Sequence, residues 1–123
     1  MAKTFRDLII WQNAHTLTVE IYRLAGTFPR CEQFSLSDQV KRSSGSMGAN
    51  IAESFGRKTV PDVRKFLSMA IASLYETQNH LILARDLGYL SAEQFNQVDT
   101  QLTGLERGIS SYSRKYKGFP SSS

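Results

Sequence analysis

The chain has 123 residues, 41% hydrophobic and 21% charged, the size and balance of one globular domain with room for one core and not two. Its longest purely apolar runs, Leu8 to Trp11 among them, fall far short of the roughly 20 residues a bilayer span needs. A single cysteine, Cys31, excludes an internal disulfide and a cysteine-rich zinc site. The opening MAKTFRDLI has no apolar stretch before a small-residue cleavage site, so no secretory signal is expected and the expected compartment is the cytoplasm.

The net charge of +4 is unevenly spread. Residues 1–40 balance to zero, whereas residues 41–65 set Lys41, Arg42, Arg57, Lys58, Arg64 and Lys65 against Glu53 and Asp62. Residues 66–110 are acidic on balance, and Arg114, Lys115 and Lys117 make the end basic again. Basic patches of this kind attract polyanions, although a modest excess also serves solubility alone.

Four segments carry a helical period and none alternates like a strand. The first spans about Asp7 to Ala25, where Ile10, Ala14, Leu17, Ile21 and Leu24 stack on one face before Gly26 and Pro29 stop it. A loop follows, from which Phe28 and Phe34 are expected to tuck back onto the core.

The second segment, Ser35 to Gly56, contains KRSSGSMGANIAESFGRK and reads as a three-sided helix opened by Ser35 and Asp38 as its cap. Leu36, Val40, Met47, Ile51 and Phe55 form the core stripe. Gln39, Asn50, Glu53 and Arg57 form a polar ladder with Arg42 and Ser46, and two readings of it stay open. It is a hydrogen-bonded network that fixes helix register, with Arg57 pairing Glu53 at i+4, or it is a site for a phosphate or polar partner. Gly45, Gly48, Ala49, Ala52 and Gly56 form a third, small-residue side. Glycine within a helix costs about 1 kcal/mol relative to alanine, which makes sense where another backbone approaches closely. That side is therefore expected to be covered by a helix of this chain or by a second subunit. The alternative is that Gly56 simply ends the helix while Gly45 and Gly48 loosen it.

The third helix begins near Thr59, a cap followed by Pro61 and Asp62, and ends at Gly88. Val63, Leu67, Ala70, Leu74, Leu81 and Ala84 form its stripe, flanked by Phe66 and Ile71. The fourth opens on a capping box, Ser91 with Gln94, and Phe95, Val98, Leu102, Leu105, Ile109, Tyr112 and Tyr116 follow at steps of three and four. Long helices joined by short connections favour an all-α, antiparallel, up-down-up-down four-helix bundle. Residues 1–117 are expected to form that domain and residues 118–123 a frayed tail.

Three stretches carry a family resemblance: FRDLIIWQNAHTL, FSLSDQVKRSSGSMGANIAESFGR and FLSMAIASLYETQNHLILARDLGYL, which together cover most of residues 5–90. With the Asn50-Ile-Ala-Glu53 core and Arg57 after it, the chain resembles the bacterial four-helix-bundle proteins encoded in 23S rRNA intervening sequences. It departs from them at Ser54, where the family usually has glycine, and at Ala72, where glycine often precedes serine. The resemblance implies a cyclic homo-oligomer, typically a homopentamer, without enzymatic activity and associated with RNA largely through the location of its genes. A related group, the accessory proteins of diversity-generating retroelements, comprises basic barrels that partner a reverse transcriptase and nucleic acid.

Catalytic signatures are sparse. His15 and His80 are the only histidines, and His80 lies four residues after Glu76, which is not the Glu-x-x-His spacing of di-iron bundles. Cys31 has no obvious base beside it, and no phosphate loop or dinucleotide fingerprint occurs. No cofactor and no metal are expected. Trp11, Tyr112 and Tyr116 continue helical stripes and read as core or interface before they read as base-stacking groups. The expected function is non-enzymatic binding of RNA or DNA, with Lys41, Arg42, Lys58, Arg64, Lys65, Lys115 and Lys117 as the phosphate contacts. A protein-interaction scaffold that docks a polymerase or reverse transcriptase-like partner is the alternative. An enzyme with a site between subunits would need Glu53, Glu76 and His80 gathered around a metal.

Overall fold

A computed structural model describes residues 2–118. Among them are four helices and no strand: α1 (Ile9–Gly26), α2 (Leu36–Phe55), α3 (Val60–Asp86) and α4 (Ala92–Lys115). Single 3-10 turns precede α1 at Phe5–Asp7 and α2 at Arg30–Glu32. The part of the expected frayed tail from residue 119 onward lies outside the described residues. Gly118 lies within them, at φ 95° beside Val60, where a Cβ would stand 3.8 Å from the valine Cγ2.

Local chemistry accounts for most helix ends. Thr59 Oγ1 accepts from Asp62 N at 3.3 Å with proline in the first turn of α3. Ser91 and Gln94 close the capping box in both directions, at 3.0 and 2.9 Å. The end of α3 is a Schellman turn in which Tyr89 N donates to Ala84 O and Gly88 N to Arg85 O. Gly88 takes φ +83° there, a backbone that a side chain would strain.

The expected cap of α2 does not form. Ser35 makes no capping bond; its hydroxyl donates to Glu32 Oε1 at 2.6 Å, and Asp38 instead pairs with Arg42. Phe34 is also unlike its expectation, since it is 97% exposed while Phe28 is buried. Phe34 lies between Gln33, whose amide donates to Phe28 O, and the Ser35–Glu32 contact, and these bonds fix the loop without turning its ring inward.

The core stripes are otherwise as expected. Ile21, Met47, Ile51, Leu67, Leu74, Leu81, Leu102 and Ile109 are sealed from solvent, each contributing about 1.5–3 kcal/mol by leaving water. Phe55 and Tyr112 are only half-buried at the edge of this set.

The sequence reading missed that α2 also buries Ser37, Ser43, Ser44 and Ser54. A buried hydroxyl without a partner costs about 1–3 kcal/mol, and each of these has one. Ser37 donates to Ala25 O in α1, while Ser43, Ser44 and Ser54 return to carbonyls three residues earlier in α2. Their small side chains let neighbouring helices come close. Thr18 of α1 reaches Ser44 O at 2.9 Å, and Thr77 of α3 reaches the Ser43 hydroxyl at 2.8 Å. Along α1 and α2 the pairs are Thr18 with Ser44 and Ala25 with Ser37, one number rising as the other falls. Along α3 and α4 they are Arg64 with Ser113, Tyr75 with Glu106 and Gln78 with Asp99.

Candidate nucleic-acid interface

These pairings bring separate basic segments to one end of the molecule. Arg64, in the first turns of α3, lies against the last turn of α4, and Gly118 lies against Val60. The α2–α3 connection carries Lys58 to the same place. The Phe5–Asp7 turn packs against α1 and α2 through an aromatic series, with Phe5 edge-on to Trp11 at 5.1 Å and Trp11 stacked on His15 at 5.0 Å. Residues 2–8, 53–66 and 113–118 together hold nine basic residues, Lys3, Arg6, Arg57, Lys58, Arg64, Lys65, Arg114, Lys115 and Lys117, against Asp7, Glu53 and Asp62. The rest of the chain holds six basic and eight acidic residues. The positive charge is therefore polar in its placement, concentrated at one end of a bundle about 30 Å long at 1.5 Å per helical residue.

Within this pole the side chains differ in availability. Lys58, Lys65, Lys115 and Lys117 are exposed and have no ion-pair partner among the described residues. Arg6 lies over the Phe5 ring at 5.0 Å, and Arg57 pairs with Glu53 while its guanidinium covers Phe66 at 4.4 Å. Asp7 accepts from the backbone N–H groups of Lys3 and Thr4 at 2.8 and 3.1 Å. Those two bonds hold its carboxyl below the usual carboxylate range.

Arg64, Lys41 and Arg42, also expected as phosphate contacts, have neighbours of their own. Arg64 is committed elsewhere: Nε donates to Ser113 O at 3.0 Å, and one terminal nitrogen reaches Arg114 O and Tyr116 O at 3.4 and 3.3 Å. It adds a donor to carbonyls at a helix C-terminus, where Ser113 O also accepts from Tyr116 N. Lys41 and Arg42 lie towards the opposite end, where Lys41 sits over the Tyr22 ring at 5.6 Å and Arg42 pairs with Asp38 at 3.0 Å. Lys3, Arg6 and Arg114, which were not expected as contacts, lie at the basic pole. The signal in the sequence that could have found them is the clustering of cations beside helix ends, before α1, between α2 and α3, and at the end of α4.

The polar ladder of α2 does not join into one network. Arg57 pairs with Glu53, but Asn50 Nδ2 donates to Ser46 O at 2.9 Å, and Gln39 is exposed and linked to neither. The small-residue side is also divided. Gly48 packs under Trp11, where a Cβ would meet the indole nitrogen at 3.5 Å. Gly45 has nothing within 4 Å of that position, Ala49 is exposed and Ala52 half-exposed. Gly56 belongs to the helix end, capping α2 with its N–H donated to Glu53 O.

His80 is buried beside Glu76, with Nε2 3.3 Å from Oε2, and Cys31 is exposed. Among the described residues no three His, Cys, Asp or Glu side chains gather as a metal set, and no helix is long and apolar enough to cross a membrane.

A crystal structure of a protein of unknown function from the S23 ribosomal protein family of Bacteroides thetaiotaomicron shares this fold. The TM-score is 0.81 at 24% identity, and the match covers 87% of this chain and all of that one. No curated protein matches. Residues 6–111 match the 23S rRNA-intervening sequence protein family, nearly the whole described chain. The chain belongs to that family.

Proposed function

We propose that this protein binds RNA or DNA through the basic pole, without catalysing a reaction. The observation that carries the reading is the placement of nine basic side chains against three acidic ones at one end, when the remainder of the molecule is slightly acidic. Lys58, Lys65, Lys115 and Lys117 make the principal phosphate contacts, joined by Lys3, Arg6 and Arg114. Contacts of this type are indifferent to sequence and release counterions, so binding falls steeply with salt. The working molecule is a cyclic homo-oligomer of antiparallel up-down-up-down bundles in the cytoplasm. Five subunits is the number implied by the family resemblance. The opposed numbering of the cross-helix hydrogen bonds supports the antiparallel path. A ring with its poles on one rim multiplies a weak attraction by avidity.

The test is a gel-shift titration with a structured RNA, a DNA duplex and single strands of each, at two salt concentrations. Retention that weakens at the higher salt is expected. No retention of any of them at low salt ends the proposal.

A further inference from the structure

Phosphate contacts leave the aromatic row beside the basic pole unused. Arg6 lies over Phe5, Phe5 stands edge-on to Trp11, and Trp11 lies on His15 with the two ring planes 13° apart. Phe5 and Trp11 are half-buried, whereas His15 is exposed. From Ile9 at the start of α1 to His15 is about 9 Å along the helix at 1.5 Å per residue. The row therefore leads from the cations to an open ring.

Beside His15 is a hollow of about 430 Å³ between α1 and α4, to which Val19, Gln97 and Gln101 also contribute. A second hollow shares Thr16 and Gln101 with it and continues past Asn13 and Gly104, where a Cβ would meet nothing within 4 Å. The charged side chains of the first hollow cancel, since Arg23 pairs with Glu20 at 3.6 Å. What remains is a set of uncommitted hydrogen-bonding groups. The Trp11 indole N–H, the His15 ring nitrogens and the amides of Gln97 and Gln101 make no hydrogen bond among the described residues. The indole nitrogen is not sealed from solvent, and the other three residues are exposed. Each glutamine amide offers a donor and an acceptor side by side. A flat ring next to such amides suits a planar heterocycle with hydrogen-bonding edges, and the cancelled charge gives a phosphate nothing to hold.

We infer that the surface from the Trp11–His15 stack to Gln97 and Gln101 receives an unpaired nucleobase of a strand whose phosphates lie on the basic pole. This assignment rests on the nucleic-acid binding proposed above and names its substrate class, a single strand. In a duplex each base hides its faces in the stack and one edge in the pair, so neither the ring nor the amides could reach them. Stacking on an aromatic surface accepts any base, because every base has a flat face.

A thymidine oligonucleotide and an abasic oligonucleotide of equal length test it, since they carry the same phosphates and differ in their bases. Binding at low salt is read by anisotropy and by the emission of Trp11, the one tryptophan in the chain. The thymidine strand is expected to bind about tenfold more tightly than the abasic strand and to quench that emission, which the abasic strand leaves unchanged. His15→Ala is expected to bring the thymidine strand down towards the abasic affinity and to leave the abasic affinity as it was. Equal affinity for the two strands in the unsubstituted protein overturns the inference and leaves the basic pole standing. Equal losses on both strands in His15→Ala also overturn it, because they show a structural role for the ring. Failure to bind either strand overturns the inference together with the pole. Circular dichroism checks that His15→Ala is helical, and Gln101→Ala, also at an exposed position, replaces it if it is not.

Discussion

The two ends of the bundle use similar residues differently. At the end holding the α1–α2 loop and the α3–α4 connection, several charged groups are tied to neighbours. Arg42 holds Asp38 and Arg85 holds Asp86, while Glu32 accepts from Ser35 and from Tyr89 of the far connection at 2.6 and 2.8 Å. At the basic pole the five lysines have no ion-pair partner among the described residues, and of the arginines there only Arg57 is paired with a carboxylate. The comparison teaches that a count of cations along the chain says less than a count of cations without an acid. An arginine already paired must give up its carboxylate before it can hold a phosphate, and the exchange returns little.

The largest effect expected is on binding. Replacing Lys58, Lys65, Lys115 and Lys117 together with glutamine should weaken nucleic-acid binding on the order of a hundredfold at low salt. It should also lower the logarithmic salt slope on duplex DNA by about four times 0.9. Fluorescence anisotropy over a salt series measures both, and an unchanged slope would break the contrast between the ends. Arg64→Ala should behave differently from the lysines. It should lower stability by about 1 kcal/mol, read as a shift in urea midpoint at constant slope, because it removes the side-chain donor from the end of α4.

Acid should distinguish the opposite end. The Ser35 hydroxyl, then Tyr89, hold the Glu32 carboxyl below its ordinary 4.5. A carboxyl depressed in the folded state contributes stability that is full above its unfolded value and is lost as pH falls through the folded one. Thermal melts from pH 6 downward should therefore show a loss beginning below about pH 4.5 that is smaller in Glu32→Gln. The smallest effect expected is that of Lys41→Gln with Arg42→Gln on nucleic-acid affinity, less than about twofold at moderate salt because neither joins the pole.

How much of this was legible before the structure depends on whether the signal was local. Thr59, Gly88 and the Ser91–Gln94 pair mark helix ends through contacts spanning a few residues, and each is found where the sequence puts it. The core stripes follow from a period that neighbouring residues impose. Ser35 misled because its hydroxyl had a choice, a backbone amide ahead or Glu32 behind, and the loop decided it. The buried serines of α2 were missed because a serine on the inner side looks polar until its bond to a carbonyl is seen. The bonds of Arg64 were not legible because the carbonyls it holds lie some fifty residues away in sequence. The candidate pole was half legible: Lys58, Lys65, Lys115 and Lys117 were named, but their union with Lys3, Arg6 and Arg114 is a property of the chain path and not of any segment.

The clasp of Arg64 on the carbonyls of Ser113, Arg114 and Tyr116 gives proteolysis an unequal effect. A cut just before Ser113 would strip away Arg114, Lys115 and Lys117, yet would release the guanidinium that had been holding their backbone. The trimmed protein would forfeit three cations and regain one. Its attraction to a polyanion should fall as though two had been removed.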